Sequence, residues 1–585
     1  MKTLAIVAIL LVALCGCDPP ANPPQFAGLA EEFVYTTLAF SPVNATAAGY
    51  HQHQDRNLDR TLDDFSPAAL DRQRQFYRGF EERLKRIDPA RYRVEDRADY
   101  DIVRQQIALA LLELDRIQSY RHNPTLYVEL AGNAVFSPYM LHYAPLEERL
   151  KDVIARLEKF PSLLEQARNN LADSPPIWTK VAIEENAGNI DLIDKTIRGA
   201  VPQSLRADYD RAAKPALDAL RAFSAWLKQG LKSAPEDSWR LGPEMYGAKF
   251  RYVLGTDRTP AQVLESAEAD LNAVRARMLE IAQPLHKKWF PRHRPHDANT
   301  TIREVLNRIA AKHSTPQSYI PDATADLAEA RQFVREKNLL APPVRKNLEV
   351  IPTPEFLRGI YAVGGFMPAP ALAPKLGAFY WITPIPANWP KARKESKLRE
   401  YNSYKLQLLT LHEAMPGHYV QFEYANDVQP KSRRVLRSVF GNGPYVEGWA
   451  QYATQMMLDA GYLGDPPELR LTFLKEELRV LANAILDIQL QTMGMSDQQA
   501  LGLMTQQTFQ EAEEARAKLQ RAKLSSAQLP TYYVGWREWL RVRDQDRKAL
   551  GAKFRLAAFN QRALKEGAVP LPVLERLLAG KAAGE

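Results

Sequence analysis

The stretch LEERLKDVIARLEKFPSLLEQARNNL, residues 146–171, repeats its apolar residues at intervals of three and four. That spacing draws one apolar stripe along an α-helix and does not match the two-residue period of a strand. Pro161 breaks the pattern, because proline has no amide hydrogen to continue a helix. The stretch 212–232 has the same period. TPAQVLESAEADLNAVRARMLEIAQPLH opens with Thr259, Pro260 and Gln262, which together predict a capping box with proline at the first helical position. The longest exception is 364–390, GGFMPAPALAPKLGAFYWITPIPANWP, dense in proline and glycine. Within it GAFYWIT, 377–383, predicts a short strand. No internal repeat or low-complexity block occurs. The expected fold class is mainly α with a small β-sheet. A soft boundary divides a helical N-terminal half, 26–345, from a half, 346–585, that carries the chemistry.

The chain begins MKTLAIVAILLVALCGCDPPANPP. Lys2 and the apolar run Leu4–Leu14 predict a cleaved leader over 1–17, since the run is too short for an ordinary membrane helix. It ends in Leu14-Cys15-Gly16-Cys17, which resembles a bacterial lipobox with Cys17 as the lipidated residue. Cys15 fits worse, because Leu14 would then fill the small position. Acyl chains hold a protein at a bilayer because each buried methylene contributes about 0.8 kcal/mol. Residues 18–25 read as a stiff tether rich in proline. The expected location is the bacterial envelope, facing the periplasm, and Asp18 resembles an inner-membrane retention signal. Cys15 and Cys17 are the only cysteines, which excludes thiolate ligands, disulfides and a cysteine nucleophile from the mature chain. The net charge of +8 is spread over mixed-sign helical faces with no basic block, so nucleic acid is not an expected partner.

LTLHEAMPGHYVQ, 409–421, holds His412, Glu413 and His418. Histidines four apart share one helix face, but these are six apart, roughly 600° of rotation. A regular helix cannot bring both to one ion. The two extra residues fall at Met415-Pro416-Gly417, where proline removes a donor and glycine accepts unusual backbone angles. The insertion thus predicts a bulge that swings His418 back. A catalytic zinc takes three protein ligands and a water. In GNGPYVEGWAQYATQMMLDAGYLG, 441–464, Glu447 sits one turn into an apolar helix, where an unpaired carboxylate is costly. It supplies the third ligand, and Glu413 is the expected base for water on the metal. The other histidines offer no competing constellation; HRPH (293–296) and HQH (51–53) read as loops. There is no phosphate-binding glycine loop and no G-x-S-x-G elbow.

HEAMPGH followed by EGWAQY resembles a large bacterial family catalogued as a domain of unknown function, with signatures H-E-x-x-P-G-H and E-G-W-A-x-Y. That family in turn resembles helical gluzincin metallopeptidases such as thimet oligopeptidase and angiotensin-converting enzyme. The resemblance extends to SPVNATAAGYHQHQDRNLDRTLDDFS near the N-terminus and FRLAAFNQRALKEGAVPLPVLERLL near the C-terminus. It implies a helical peptidase body with the small sheet beside the metal helix. It implies one Zn2+ held by His412, His418 and Glu447, with Glu413 as base. LPTYYVGW (529–536) matches a family tyrosine-x-x-glycine element, which makes Tyr532 the transition-state donor, with Tyr533 and then Tyr380 in reserve. The chain departs from the family where Gln491 and Asn560 replace histidines and Thr454 replaces a glutamate. Asp487 is the residue expected to orient a ligand histidine.

The function expected is a zinc peptidase that cleaves oligopeptides through metal-activated water, with GAFYWIT holding substrate backbone as an added strand. The alternatives are a non-catalytic peptide-binding lipoprotein that keeps the zinc fold, and a zinc amidase acting on cell-wall fragments.

Overall fold

A computed structural model gives the fold of residues 26–353, 358 and 363–582. The leader, Cys17 and the 18–25 tether lie outside the described residues. Among the described residues, helices dominate and the strands form two small sheets. The periodic stretch 146–171 folds as two helices, Leu146–Leu157 and Phe160–Asn170, with Pro161 in the first turn of the second. Proline is well placed there, because the first amides of a helix have no intrahelical acceptor. Helix α1, Pro260–Trp289, starts at the expected capping box of Thr259 and Gln262.

The helices that build the site follow in the second half. They are α2 (Ser403–Glu413), α3 (His418–Ala425), α4 (Gly443–Asp459), α5 (Pro467–Thr492), α6 (Ala512–Leu524) and α7 (Pro530–Leu550). Helices α4 and α7 meet backbone to backbone. A Cβ on Gly448 would lie 2.3 Å from the carbonyl carbon of Gly535, and one on Gly535 would lie 2.0 Å from the carbonyl oxygen of Pro444. Only glycine at both positions permits that approach. The crossing sets Glu447, one residue before Gly448, close to Tyr532, three before Gly535.

A hairpin, β1 (Gln52–His53) and β2 (Arg56–Asn57), forms the smaller sheet. The larger contains β3 (Leu348–Pro352), β4 (Gly364–Met367) and β5 (Ala378–Ile382) in the order β3-β5-β4. Strand β5 runs parallel to β3 and antiparallel to β4, with Tyr380 opposite Val350 on one side and Phe366 on the other. Its alternating side chains enter two cores. Ala378, Tyr380 and Ile382 join the main core, which runs through both halves of the chain. Trp381 joins the core of the N-terminal helices, with Val128, Leu150 and Leu220. The unbroken apolar run AFYWI is thus a strand covered on both faces.

The strand GAFYWIT is present as expected, but not in its expected role. Because β5 is hydrogen-bonded on both edges, it has no free backbone to pair with a substrate.

Candidate metal centre

Helix α2 ends at Glu413 and α3 begins at His418, so the expected bulge is a full break. The amide of Met415 bonds to the carbonyl of Thr410, and the amide of Gly417 to the carbonyl of Leu411. Gly417 is needed for space more than for its dihedral angles. A Cβ there would lie 1.8 Å from the carbonyl oxygen of His412. A break leaves carbonyls without intrahelical donors, and buried ones must find partners elsewhere. Trp449, fully buried on α4, supplies one: its indole N–H donates to the carbonyls of Pro416 at 3.0 Å and Gly417 at 3.2 Å.

The break turns the second histidine back. The rings of His412 and His418 lie 4.7 Å apart and nearly perpendicular, at 83°. Each Nε2 faces the same oxygen of Glu447: Oε2 lies 3.5 Å from that of His412 and 3.4 Å from that of His418. The three donors predicted from sequence therefore converge. Ligands held about 2.0–2.1 Å from one tetrahedral ion sit about 3.3 Å from each other, close to this spacing. Oε2 of Glu447 and Nδ1 of His418 are buried without a hydrogen-bond partner. A buried acceptor left in this state is expensive unless a cation satisfies it. The donor set thus fits zinc.

Burial works to raise the pKa of Glu447, but the imidazoles of His412 and His418 outweigh it and hold the carboxyl well below the usual range. Burial likewise disfavours charge on His418, and the Glu447 carboxylate reverses this, raising its pKa. The side chain of Glu413 makes no hydrogen bond to any described residue, and its charge is felt at both His418 and Tyr532. The ring of Tyr532 lies 6.5 Å from that of His412 and nearly parallel to it, at 19°. Burial first, and then the charge of Glu447, push its phenol upward, so Tyr532 stays protonated as a donor. Tyr533 points elsewhere, donating to Asp270 at 2.8 Å.

Other expectations change. Tyr380 is fully buried, its hydroxyl 3.1 Å from the Thr410 hydroxyl, so it props α2 and does not face the site as a reserve donor. Asp487 does not orient a histidine. It accepts from the Tyr246 hydroxyl and the Ala527 amide, both at 2.7 Å, and burial raises its pKa to about 7. The residue beside a ligand histidine is Gln451, whose amide nitrogen lies 3.4 Å from Nδ1 of His412. Its signal in the sequence is its place four residues after Glu447, on the same helix face. Gln491 and Asn560 are spent on structure: Gln491 accepts from the Leu241 amide, and Asn560 accepts from the Tyr452 hydroxyl.

The structure also gathers a group that sequence reading missed, His286, His293 and Glu304. There each carboxylate oxygen already meets one imidazole, at 2.6 and 3.1 Å, beside Lys287 and Arg294. The hydrogen bond from His286 and the ion pair with His293 satisfy the carboxylate without an ion.

Residues 42–578 match the family described as bacterial protein of unknown function (DUF885). The chain belongs to that family. No curated protein matches it. Two solved structures are similar along nearly their whole length. One, from Shewanella oneidensis, is described as a "putative lipoprotein of unknown function"; it is 29% identical with a TM-score of 0.79, over 95% of this chain and 100% of that one. The other, described as the "putative lipoprotein" from Colwellia psychrerythraea, is 18% identical with a TM-score of 0.77, over 96% and 99%, and shares the fold.

Replacing Trp449 with phenylalanine keeps most of the buried surface but removes the donor to the break. The buried carbonyl of Pro416 then loses its partner, at about 1–3 kcal/mol, while that of Gly417 keeps the amide of Gln421. The expected result is a lower urea midpoint together with perturbed His418 resonances; an unchanged midpoint would show that the clasp contributes nothing.

Proposed function

We propose that this protein is a zinc-dependent peptidase that hydrolyses amide bonds of oligopeptides. The observation that carries the reading is the sharing of one Glu447 oxygen by His412 and His418, with a free carboxylate, Glu413, next to the first histidine. His412, His418 and Glu447 would hold one zinc ion. When bound, it supplies Lewis acidity and lowers the pKa of water. The chain's own groups do the rest. Glu413 accepts a proton from the attacking water and returns it to the departing amine nitrogen. Tyr532 donates a hydrogen bond that strengthens as negative charge grows on the carbonyl oxygen. The close crossing at Gly448 and Gly535 brings Tyr532 near enough for the charge of Glu447 to be felt at its phenol.

His412→Ala and His418→Ala are expected to abolish bound zinc. Glu413→Gln is expected to keep zinc and lose turnover, because the base is not a ligand. Elemental analysis paired with cleavage of a peptide library reads both. Stoichiometric zinc in both histidine variants would overturn the metal assignment, and an active Glu413→Gln would overturn the base.

Tyr532→Phe is expected to lower kcat roughly ten- to a thousandfold with KM little changed, since the bond matters mainly in the transition state. Tyr533→Phe is the control: it loses the bond to Asp270, so stability falls while kcat holds. Equal kcat for Tyr532→Phe and wild type would place the donor on another segment.

We also propose that Cys17 carries a lipid that anchors the protein to the inner membrane, facing the periplasm. The lipobox-like sequence and the lipoprotein descriptions of both structural neighbours support this. Among the described residues no helix is long and apolar enough to cross a membrane. Cys17→Ser is expected to move the protein from the membrane pellet to an unprocessed or soluble form. Recovery of the wild type in the outer-membrane fraction would refute the inner-membrane placement.

A further inference from the structure

Each imidazole at the centre needs a partner for its second nitrogen. Once Nε2 of a neutral histidine faces an ion, the ring proton sits on Nδ1 and requires an acceptor. His412 has an amide within reach, since that of Gln451 stands 3.4 Å from its Nδ1. His418 has none: its Nδ1 is buried and makes no hydrogen bond to any described residue. Apolar rings wall it in, with Phe366 stacked at 6.4 Å and Phe422 at 6.5 Å.

One turn along α3 stands Gln421, which is 1% exposed. Its backbone amide closes the first turn of the helix on the carbonyl of Gly417. Its side-chain nitrogen and oxygen are both buried, and neither has a hydrogen-bond partner among the described residues. No other amide side chain among them is stranded at both ends. Burying an amide in this state is unfavourable, and methionine would fill nearly the same space without that cost. Packing alone therefore does not account for a glutamine here. Geometry directs it to His418. Residues three apart on a helix have Cβ atoms about 5–6 Å apart, and long side chains lean back over the preceding turn. Phe422, at the other adjoining position, rests its ring beside that of His418 in this way. Nδ1 lies two bonds beyond its Cβ, and the glutamine oxygen three beyond its own, enough to close the gap. The terminal torsion of glutamine turns at little cost, so the oxygen can face the ring.

We propose that Gln421 is a positioning residue for His418. Its side-chain oxygen accepts from Nδ1–H and holds the imidazole in the tautomer whose Nε2 is open to an ion. This rests on the reading of His412, His418 and Glu447 as a zinc centre. Gln421 touches neither ion nor substrate and acts through the histidine. Each ligand histidine is then supported by a glutamine one turn from a ligand: Gln451 follows Glu447 by four residues, and Gln421 follows His418 by three.

The test compares wild type with Gln421→Met, which keeps the bulk and removes both polar atoms, and with Gln421→Glu, which keeps an acceptor. Zinc affinity is read by competition with a chromogenic chelator, and stability of the zinc-free protein by urea unfolding. Gln421→Met is expected to weaken zinc binding roughly ten- to a hundredfold. Its zinc-free urea midpoint is expected to hold or rise, because two stranded polar atoms leave the core. Gln421→Glu is expected to return most of the affinity. In zinc-loaded wild type with isotope-labelled histidine, the hydrogen bond should shift the Nδ1–H resonance of His418 downfield, and Gln421→Met should move it back. Unchanged zinc affinity in Gln421→Met, or a loss that only tracks a lower zinc-free midpoint, would overturn the inference. So would a Gln421→Glu protein that binds zinc no better than Gln421→Met. A wild-type Nδ1–H resonance without the downfield shift would overturn it whether or not either variant folds. If wild type takes up no zinc, the metal reading fails and the inference with it. If wild type binds zinc with the expected dependence on Gln421 but cleaves no peptide, the peptidase reading fails and the inference stands.

Discussion

The centre depends on a hydrogen bond that touches no ligand. Breaking a helix between His412 and His418 is the only way to aim both imidazoles at one point, and a buried break exposes carbonyls that water cannot reach. The Trp449 indole closes that deficit by donating to Pro416 and Gly417. Around it, three consecutive residues of α4 serve three different neighbours. Each is rotated about 100° from the last, so Glu447 faces the histidines, Gly448 admits the backbone of α7, and Trp449 clasps the break. The two motifs, distant in sequence, are halves of one arrangement.

The rest of the fold keeps that arrangement deep yet reachable. Tyr380 on β5 supports α2 from beneath, and Phe366 on β4 lies over the ring of His418 at 6.4 Å. Trp381 anchors the same strand in the N-terminal helices. Residues far earlier in the chain therefore fix the floor of the site. Arg433 and Arg437 do the same from the side, pairing with Asp96 and Asp99 on the helix Val94–Leu112.

Much of this was legible in the sequence, because the signals were local. The helix start at Thr259 follows from capping chemistry and the break at Pro161 from its missing amide hydrogen, and the convergence of His412, His418 and Glu447 follows from spacing, composition and family resemblance. What escaped was set by distant partners. Nothing near Asp487 says that it receives the Tyr246 hydroxyl, and nothing near GAFYWIT says that a strand lies on each side of it. Tyr380 and Tyr532 are both tyrosines in apolar runs, and only packing sends one under a helix and the other beside a histidine. The meeting of His286 with His293 escaped notice because Glu304, which joins them, lies in the next helix.

Under the proposed zinc reading, the clasp at the break bears on how an ion would bind. Where a metal must itself gather its ligands, much of the binding free energy is spent on ordering the chain, and removal of the ion unfolds the site. Here Trp449, Gly417 and the Gly448–Gly535 contact position the three ligand side chains by contacts that do not involve an ion. Under that reading, binding of the ion would order little of the chain. A chain could reach its final location, take up its ion there from whatever supply surrounds it, and survive a period of scarcity with its architecture intact.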